Sequence, residues 1–250
     1  MKKLYENKPV LFAVLFIVIY CAVTIPIRGE SGDGSAQSLL GLSAVALAVA
    51  VVSSVVPLWK KLGVAARPQN TRLCLYFIPM FILATGNVWD GFHPQYSGAA
   101  LWYAVGSMAL VGFVEEMIFR GFLFRALLKK DGPKVAVIVS AVTFGIGHIV
   151  NLLAGMATLE NLIMIVFAVA WGFVFTMVYY KSGSLLGCIA AHAVVDVLSV
   201  LSMETAWGTA LYVGATIVVG AAYSLWLKRL PAAFPGPEKG PEARPRGSAE

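Results

Sequence analysis

The sequence predicts an all-α fold, a polytopic transmembrane bundle of about eight spans with cytoplasmic N- and C-termini, and three observations carry that prediction. The first is composition: 59% of the 250 residues are hydrophobic and 13% charged, with a mean hydropathy of +0.79, whereas a soluble domain carries about 25% charge. The second is length. Eight apolar stretches, near residues 10–27, 39–59, 73–89, 99–127, 135–153, 161–180, 184–202 and 207–227, can cross the roughly 30 Å of hydrocarbon that takes roughly 20 helical residues. The third is the alternation of charge between them.

In order along the chain, Lys2, Lys3 and Lys8 precede the first stretch, whose apolar core is 18 residues long with no small-x-small cleavage site after it. That pattern reads as a retained anchor rather than a secretory signal. Lys60, Lys61, Arg67 and Arg72 follow the second stretch, Arg125, Lys129, Lys130 and Lys134 the fourth, Lys181 the sixth, and Lys228 and Arg229 the eighth. The opposite loops hold Glu30, Asp33, Asp90, Glu160 and Glu204 against Arg28 alone. Basic loops are retained on the cytoplasmic side, so an even number of spans fits the pattern. Pro68-Gln69-Asn70-Thr71 and the segment 86–94 read as turn-rich connectors, with His93 beside Trp89 and Tyr96 at the outer interface. The expected organisation is one transmembrane domain over 1–230, followed by a Pro- and Gly-rich, charged tail over 231–250 that cannot bury a core.

The net charge of +6 is spread between apolar stretches rather than gathered in a patch, which argues against nucleic acid as a partner and for membrane topology. Cys21, Cys74 and Cys188 lie within apolar runs without Cys-x-x-Cys spacing and read as packing residues. Neither an internal repeat nor an inverted pair of broken helices is visible, which disfavours a transporter.

Six ionisable residues sit where lipid excludes charge: Glu115, Glu116 and Arg120 in the fourth stretch, His148 in the fifth, His192 and Asp196 in the seventh. One such charge costs about 2.5–3.5 kcal/mol at the bilayer centre on insertion scales, so a group of them marks a functional cavity. Residues four apart share a helix face, which pairs Glu116 with Arg120 in the favourable acid-first order and places His192 with Asp196. Adjacent residues diverge by about 100°. Glu115 is then the carboxylate left for chemistry, with Glu116 and Arg120 as an orienting pair. Gly145 and Gly147 remove bulk beside His148 so that another helix or a substrate can approach. Asn151, three residues on, reads as a neighbour of His148 or as a packing residue.

The run Glu115-Glu116-Met117-Ile118-Phe119-Arg120, the Phe144-x-x-x-His148 spacing and the His192-x-x-x-Asp196 spacing resemble, over roughly 100–202, the three motifs of the CPBP family, which contains type II CAAX prenyl endopeptidases and bacterial Abi-type proteins. The resemblance implies an intramembrane endopeptidase. It makes Glu115 the catalytic glutamate, His148 its partner at the water, and His192 with Asp196 the oxyanion-side residues. Where the better-described prenyl endopeptidases have Asn, this chain has Asp196, and an ionised Asp cannot donate to an oxyanion.

Chemically, a desolvated Glu115 with His148 suits deprotonation of a water, and His192 suits donation to the oxyanion once its other nitrogen is fixed, with Asp196 the candidate for that role. Two imidazoles and one carboxylate also suggest a divalent metal such as zinc held by His148, His192 and Glu115; the metal-free version is preferred. The expected partners are the lipid bilayer and a membrane-associated peptide or protein substrate, and the expected location is a prokaryotic cytoplasmic membrane. Outside hydrolysis, the alternatives are a non-catalytic immunity or membrane-assembly factor, and then a proton-coupled transporter.

Overall fold

The computed structural model describes residues 1–69, 75–202 and 205–234. Arg72, Cys74, Glu204 and residues 235–250 of the expected tail lie outside them. Among the described residues the chain is all helical, without strands. The helices are α1 (Lys2–Asn7), α2 (Pro9–Ser31), α3 (Ala36–Val55), α4 (Leu58–Lys61), α5 (Ile78–Ala84), α6 (Gly98–Glu115), α7 (Arg125–Gly147), α8 (Thr158–Ser182), α9 (Leu186–Val200) and α10 (Ala206–Leu227). A π-helical segment, Glu116–Phe124, joins α6 to α7, and a 3-10 turn, His148–Leu152, follows α7.

Local chemistry sets several boundaries. Ser35 caps α3 by accepting from the Ser38 N–H at 3.1 Å, and Thr205 caps α10 by accepting from the Gly208 N–H at 3.0 Å, each satisfying a donor that the first helical turn leaves free. Gly183, in the left-handed region at φ 71°, ends α8. Within α7, Gly132 stands at φ 83° and ψ 175° ahead of Pro133. That combination cannot continue a helix, so the chain reverses there. The returning limb lies beside the π segment: the Ser140 hydroxyl donates to the Phe119 carbonyl at 3.0 Å, and the Phe119 and Phe144 rings meet edge to face at 5.2 Å.

Five helices are long and apolar enough to cross a membrane: Pro9–Ser31, Ala36–Val55, the bent Gly98–Leu152, Thr158–Ser182 and Ala206–Leu227. Each presents apolar residues outward, such as Leu11 and Val18 on α2, Leu47 and Val51 on α3, and Leu162 and Val166 on α8. A continuous exposed apolar surface of this kind marks contact with lipid; the protein is an integral membrane protein.

The eight expected stretches correspond to these five, counting both limbs of Gly98–Leu152, and to two shorter helices. The seventh forms α9, whose 15 residues reach only about 22 Å. It stops early because Leu201 and Val200 give their carbonyls to the backbone N–H groups of His93 and Gln95. The third stretch shortens to α5 and a turn at Gly86–Val88, where the Tyr212 ring packs so closely on Gly86 that a Cβ would lie 2.0 Å from it. His93 is exposed. Cys188 is buried and donates to the Phe175 carbonyl at 3.5 Å, and Cys21 is half-buried.

The core that positions the site runs through the bundle centre. On α2, Phe12, Phe16, Tyr20 and Thr24 recur every four residues as a buried stripe; both phenylalanines touch Phe122 of the π segment, at 5.0 and 5.3 Å. α6 and α9 meet at Gly112, where an added Cβ would lie 2.6 Å from the Ala193 nitrogen. Only glycine permits that approach, and it sets the glutamates one turn further along α6 against His192, the neighbour of Ala193.

Candidate active site

Glu115 ends α6 and Glu116 opens the π segment. Segments of this wider helix occur mostly within α-helices at functional sites. Every residue of Glu116–Phe124 is buried. Glu116 and Arg120 are both fully buried and form an ion pair at 2.8 Å, the spacing expected of the acid-first pair. Arg120 is further held by Phe144, 4.1 Å from its guanidinium carbon to the ring centre, by Phe175 at 5.2 Å, and by the Gly172 carbonyl at 3.4 Å. The two ring faces, the acid and the carbonyl offset part of the cost of burying this cation, although its Nε has no hydrogen-bond partner.

The two nitrogens of His192 face different acids. Nδ1 lies 2.9 Å from Glu116 Oε1, and Nε2 lies 3.6 Å from Glu115 Oε2 and 3.4 Å from Asp196 Oδ2. Phe175 stacks on the ring at 5.1 Å. The sequence suggested Asp196 as the group fixing the second nitrogen, with Glu115 facing away from Glu116. Glu116 holds Nδ1, so that one acid is shared between Arg120 and His192, while Glu115 faces the opposite edge of the ring without a hydrogen bond to it. The 100° between neighbouring side chains is what lets them straddle the imidazole instead of sharing one side.

Glu115 is anchored on its other oxygen, where Oε1 accepts from the Tyr20 hydroxyl at 2.7 Å. His148 lies within 3.1 Å of the Phe144 carbonyl through Nδ1. A carbonyl only accepts, so Nδ1 carries the proton and Nε2 of the neutral ring is an acceptor. Asn161 fixes the same turn by donating to the His148 carbonyl at 2.8 Å. A cavity of about 150 Å³ is lined by Glu115, His148, His192 and Asp196 together with Arg28. A smaller one of about 60 Å³ brings Tyr20 and Asn151 to the other side of Glu115 and His148. The larger is roomy enough for several waters, and polar enough to keep them. Glu115 Oε2 and Asp196 Oδ2 are buried without a hydrogen-bond partner.

All six ionisable residues singled out from the sequence therefore converge. Of the two glycines beside His148, Gly145 makes the close approach, since its Cβ would lie 2.7 Å from the Val169 nitrogen on α8. Gly147 does not: the nearest atom to its Cβ position is Phe119 Cζ at 3.8 Å. Tyr20, Arg28 and Asn161 were missed. Tyr20 had a signal, being a hydroxyl on the buried stripe of an apolar helix, where it needs a partner. Arg28 is paired bidentately with Asp33, at 2.6 and 3.0 Å.

Among the described residues, no group of three or more His, Cys, Asp or Glu side chains is arranged to hold a metal ion. His148, His192 and Glu115 do not fit zinc as they stand. A tetrahedral site needs all its ligand atoms within about 2.0–2.2 Å of one point, and these side chains are not gathered in that way.

Comparison with known proteins gives one family. Neither the curated proteins nor the solved structures give a match. Residues 97–198, which run from the start of α6 to near the end of α9, past His192 and Asp196, match the family model described as type II CAAX prenyl endopeptidase Rce1-like. Over that segment the chain is similar to this family, and the match supports a CPBP-type intramembrane protease.

Proposed function

We propose that the protein is an intramembrane endopeptidase that hydrolyses a peptide bond of a membrane-associated protein or peptide with Glu115 as the base for the attacking water. The observation that carries this reading is the meeting of Glu115 Oε2 and His192 Nε2, 3.6 Å apart, on a cavity that His148 and Asp196 also line. Glu115, with the His148 Nε2 acceptor beside it, takes a proton from water as the oxygen attacks the scissile carbonyl carbon. In its imidazolium form His192 donates Nδ1–H to Glu116 and directs Nε2–H into the cavity, where the oxyanion develops. Collapse of the tetrahedral species breaks the C–N bond, and the proton on Glu115 passes to the leaving amine. Asp196, 3.4 Å from Nε2, stabilises the imidazolium by its charge and leaves Nε2–H to the oxyanion, to which an ionised carboxylate cannot itself donate. No step needs a metal.

The test is cleavage of membrane-anchored peptides by the purified chain in vesicles, combined with a comparison of membrane proteomes from cells carrying the native protein and Glu115→Gln. A substrate that stays uncleaved only in the variant supports the reading. Equal cleavage in both removes it.

Tyr20 has a supporting part: its hydroxyl fixes the Oε1 side of Glu115 and leaves Oε2 to face His192. Tyr20→Phe removes one hydrogen bond to a charged group, worth about 1.5–3 kcal/mol. Cleavage should fall by roughly 10- to 100-fold, seen mainly in kcat, and an unchanged kcat would show that Glu115 is positioned without it.

The finer topology belongs to the same reading. Eight segments traverse or enter the membrane with both termini cytoplasmic, in one domain over 1–230 and a tail beyond, and the membrane is a prokaryotic cytoplasmic one. The clustering of Lys60, Lys61, Arg125, Lys129, Lys130 and Lys228 between alternate helices supports it. Single cysteines at Lys129 and Gln95, in a cysteine-free background, should react with an impermeant thiol reagent from opposite faces of oriented vesicles. Labelling of both from one face would contradict the arrangement.

A further inference from the structure

α8 separates two cavities. Ala168, Trp171 and Phe175 face the site, while Val169, Phe173 and Met177 face an outward groove of about 690 Å³ walled by the returning limb of α7 and by α10. The groove is apolar along its length, widened by Ala170 on its floor and by Gly220 and Ala221 on its α10 wall, and it lies within the size range of small-molecule sites. Its basic residues gather at one end. Lys134 starts the α7 wall, Lys181 ends the α8 floor and Lys228 follows the α10 wall, and no acidic residue lines it.

That end is built. Lys181 is buried and its Nζ donates to the Leu230 carbonyl at 2.6 Å and the Lys228 carbonyl at 3.4 Å, which ties the end of α10 to α8 and holds Lys228 at the groove mouth. Lys134 and Lys228 are exposed. From the lysines the lining runs back to Val166 on α8 and to Ile217 on α10, about 22 and 16 Å of helix. The span from bilayer centre to the head-group region is about 20 Å.

We propose that this groove is a binding site for an anionic phospholipid, with one acyl chain along α8 and its phosphate between Lys134 and Lys228. Length matches the groove to one leaflet, and charge matches its end to an anionic head group, whose attraction to each nearby lysine is appreciable at a membrane surface. The proposal is independent of the catalytic reading. It also bears on the site: the α8 backbone that would contact the acyl chain is the one whose Gly172 carbonyl receives Arg120.

Native mass spectrometry of the full chain released from mixed micelles of phosphatidylglycerol and phosphatidylcholine, with identical acyl chains, tests it. The native protein should retain phosphatidylglycerol over phosphatidylcholine, and Lys134→Gln with Lys228→Gln should cut that preference by about tenfold or more. Ala221→Phe, which fills the groove, should lose both lipids. Lys129→Gln with Lys130→Gln changes the same end of the molecule without lining the groove, and should retain the preference. The proposal is overturned by equal retention of the two lipids by the native protein, by a preference that survives the first pair or Ala221→Phe, or by its loss in the Lys129/Lys130 pair. A dimer free of lipid would also overturn it, assigning the groove to a second copy.

Discussion

Glu115→Gln should abolish peptide cleavage while leaving the fold intact. The amide keeps the size of the side chain and can still accept from Tyr20, whose hydroxyl is the hydrogen-bonded neighbour of Glu115 at 2.7 Å. What it loses is basicity. A positioned general base contributes about 10²–10⁴-fold, and here the same carboxylate also returns the proton to the leaving amine, so the loss should reach at least the upper part of that range. Thermal unfolding in detergent checks that the variant is folded, and single-turnover cleavage measures the loss. A fall of less than tenfold in a folded variant would remove Glu115 from the chemistry.

Arg120→Leu should be the most destabilising single change in the bundle. Removing one partner of a buried ion pair leaves the other charge without compensation, at a cost of about 3–5 kcal/mol. Glu116 is fully buried and 2.8 Å from Arg120, so it would be left facing His192 alone. Replacing both residues with leucine removes the uncompensated charge, and much of the stability should return. Cleavage should not return with it, because His192 Nδ1 loses the acceptor 2.9 Å away and the ring loses the contact that fixes its orientation. Unfolding midpoints and cleavage rates of the single and double variants separate the two roles. A double variant that cleaves at the native rate would show that Glu116 serves the fold only.

The candidate site was more legible in the sequence than the fold around it, and the reason lies in the range of the interactions. Charges in apolar runs are costly wherever they fall, so Glu115, Glu116, Arg120, His148, His192 and Asp196 stood out before any coordinates. The spacing of four between Glu116 and Arg120 was enough to pair them, because it is a property of one helix. Contacts between helices were not legible in this way. The Glu116 and His192 side chains are 76 positions apart, and their bond depends on the approach of α6 to α9 at Gly112, a glycine that looks like any other in an apolar run. Tyr20 lies outside residues 97–198, on a helix that motif spacing does not reach.

The lengths of α5 and α9 were also hidden. An apolar run shows what a segment can bury, whereas its end is set here by loop residues His93 and Gln95 bonding to the carbonyls of Leu201 and Val200. The shift to a π segment after Glu115 has no proline to announce it.

The most direct test of the account is a single-turnover cleavage in ¹⁸O-enriched water, followed by mass analysis of both the peptide product and the Glu115-containing fragment of the enzyme. Attack by a water that Glu115 deprotonates predicts the heavy oxygen in the new carboxyl group of the product and none in Glu115. Heavy oxygen in the Glu115 side chain would mean that the carboxylate itself attacks the peptide bond, and would contradict the water-activating role on which the proposed function rests.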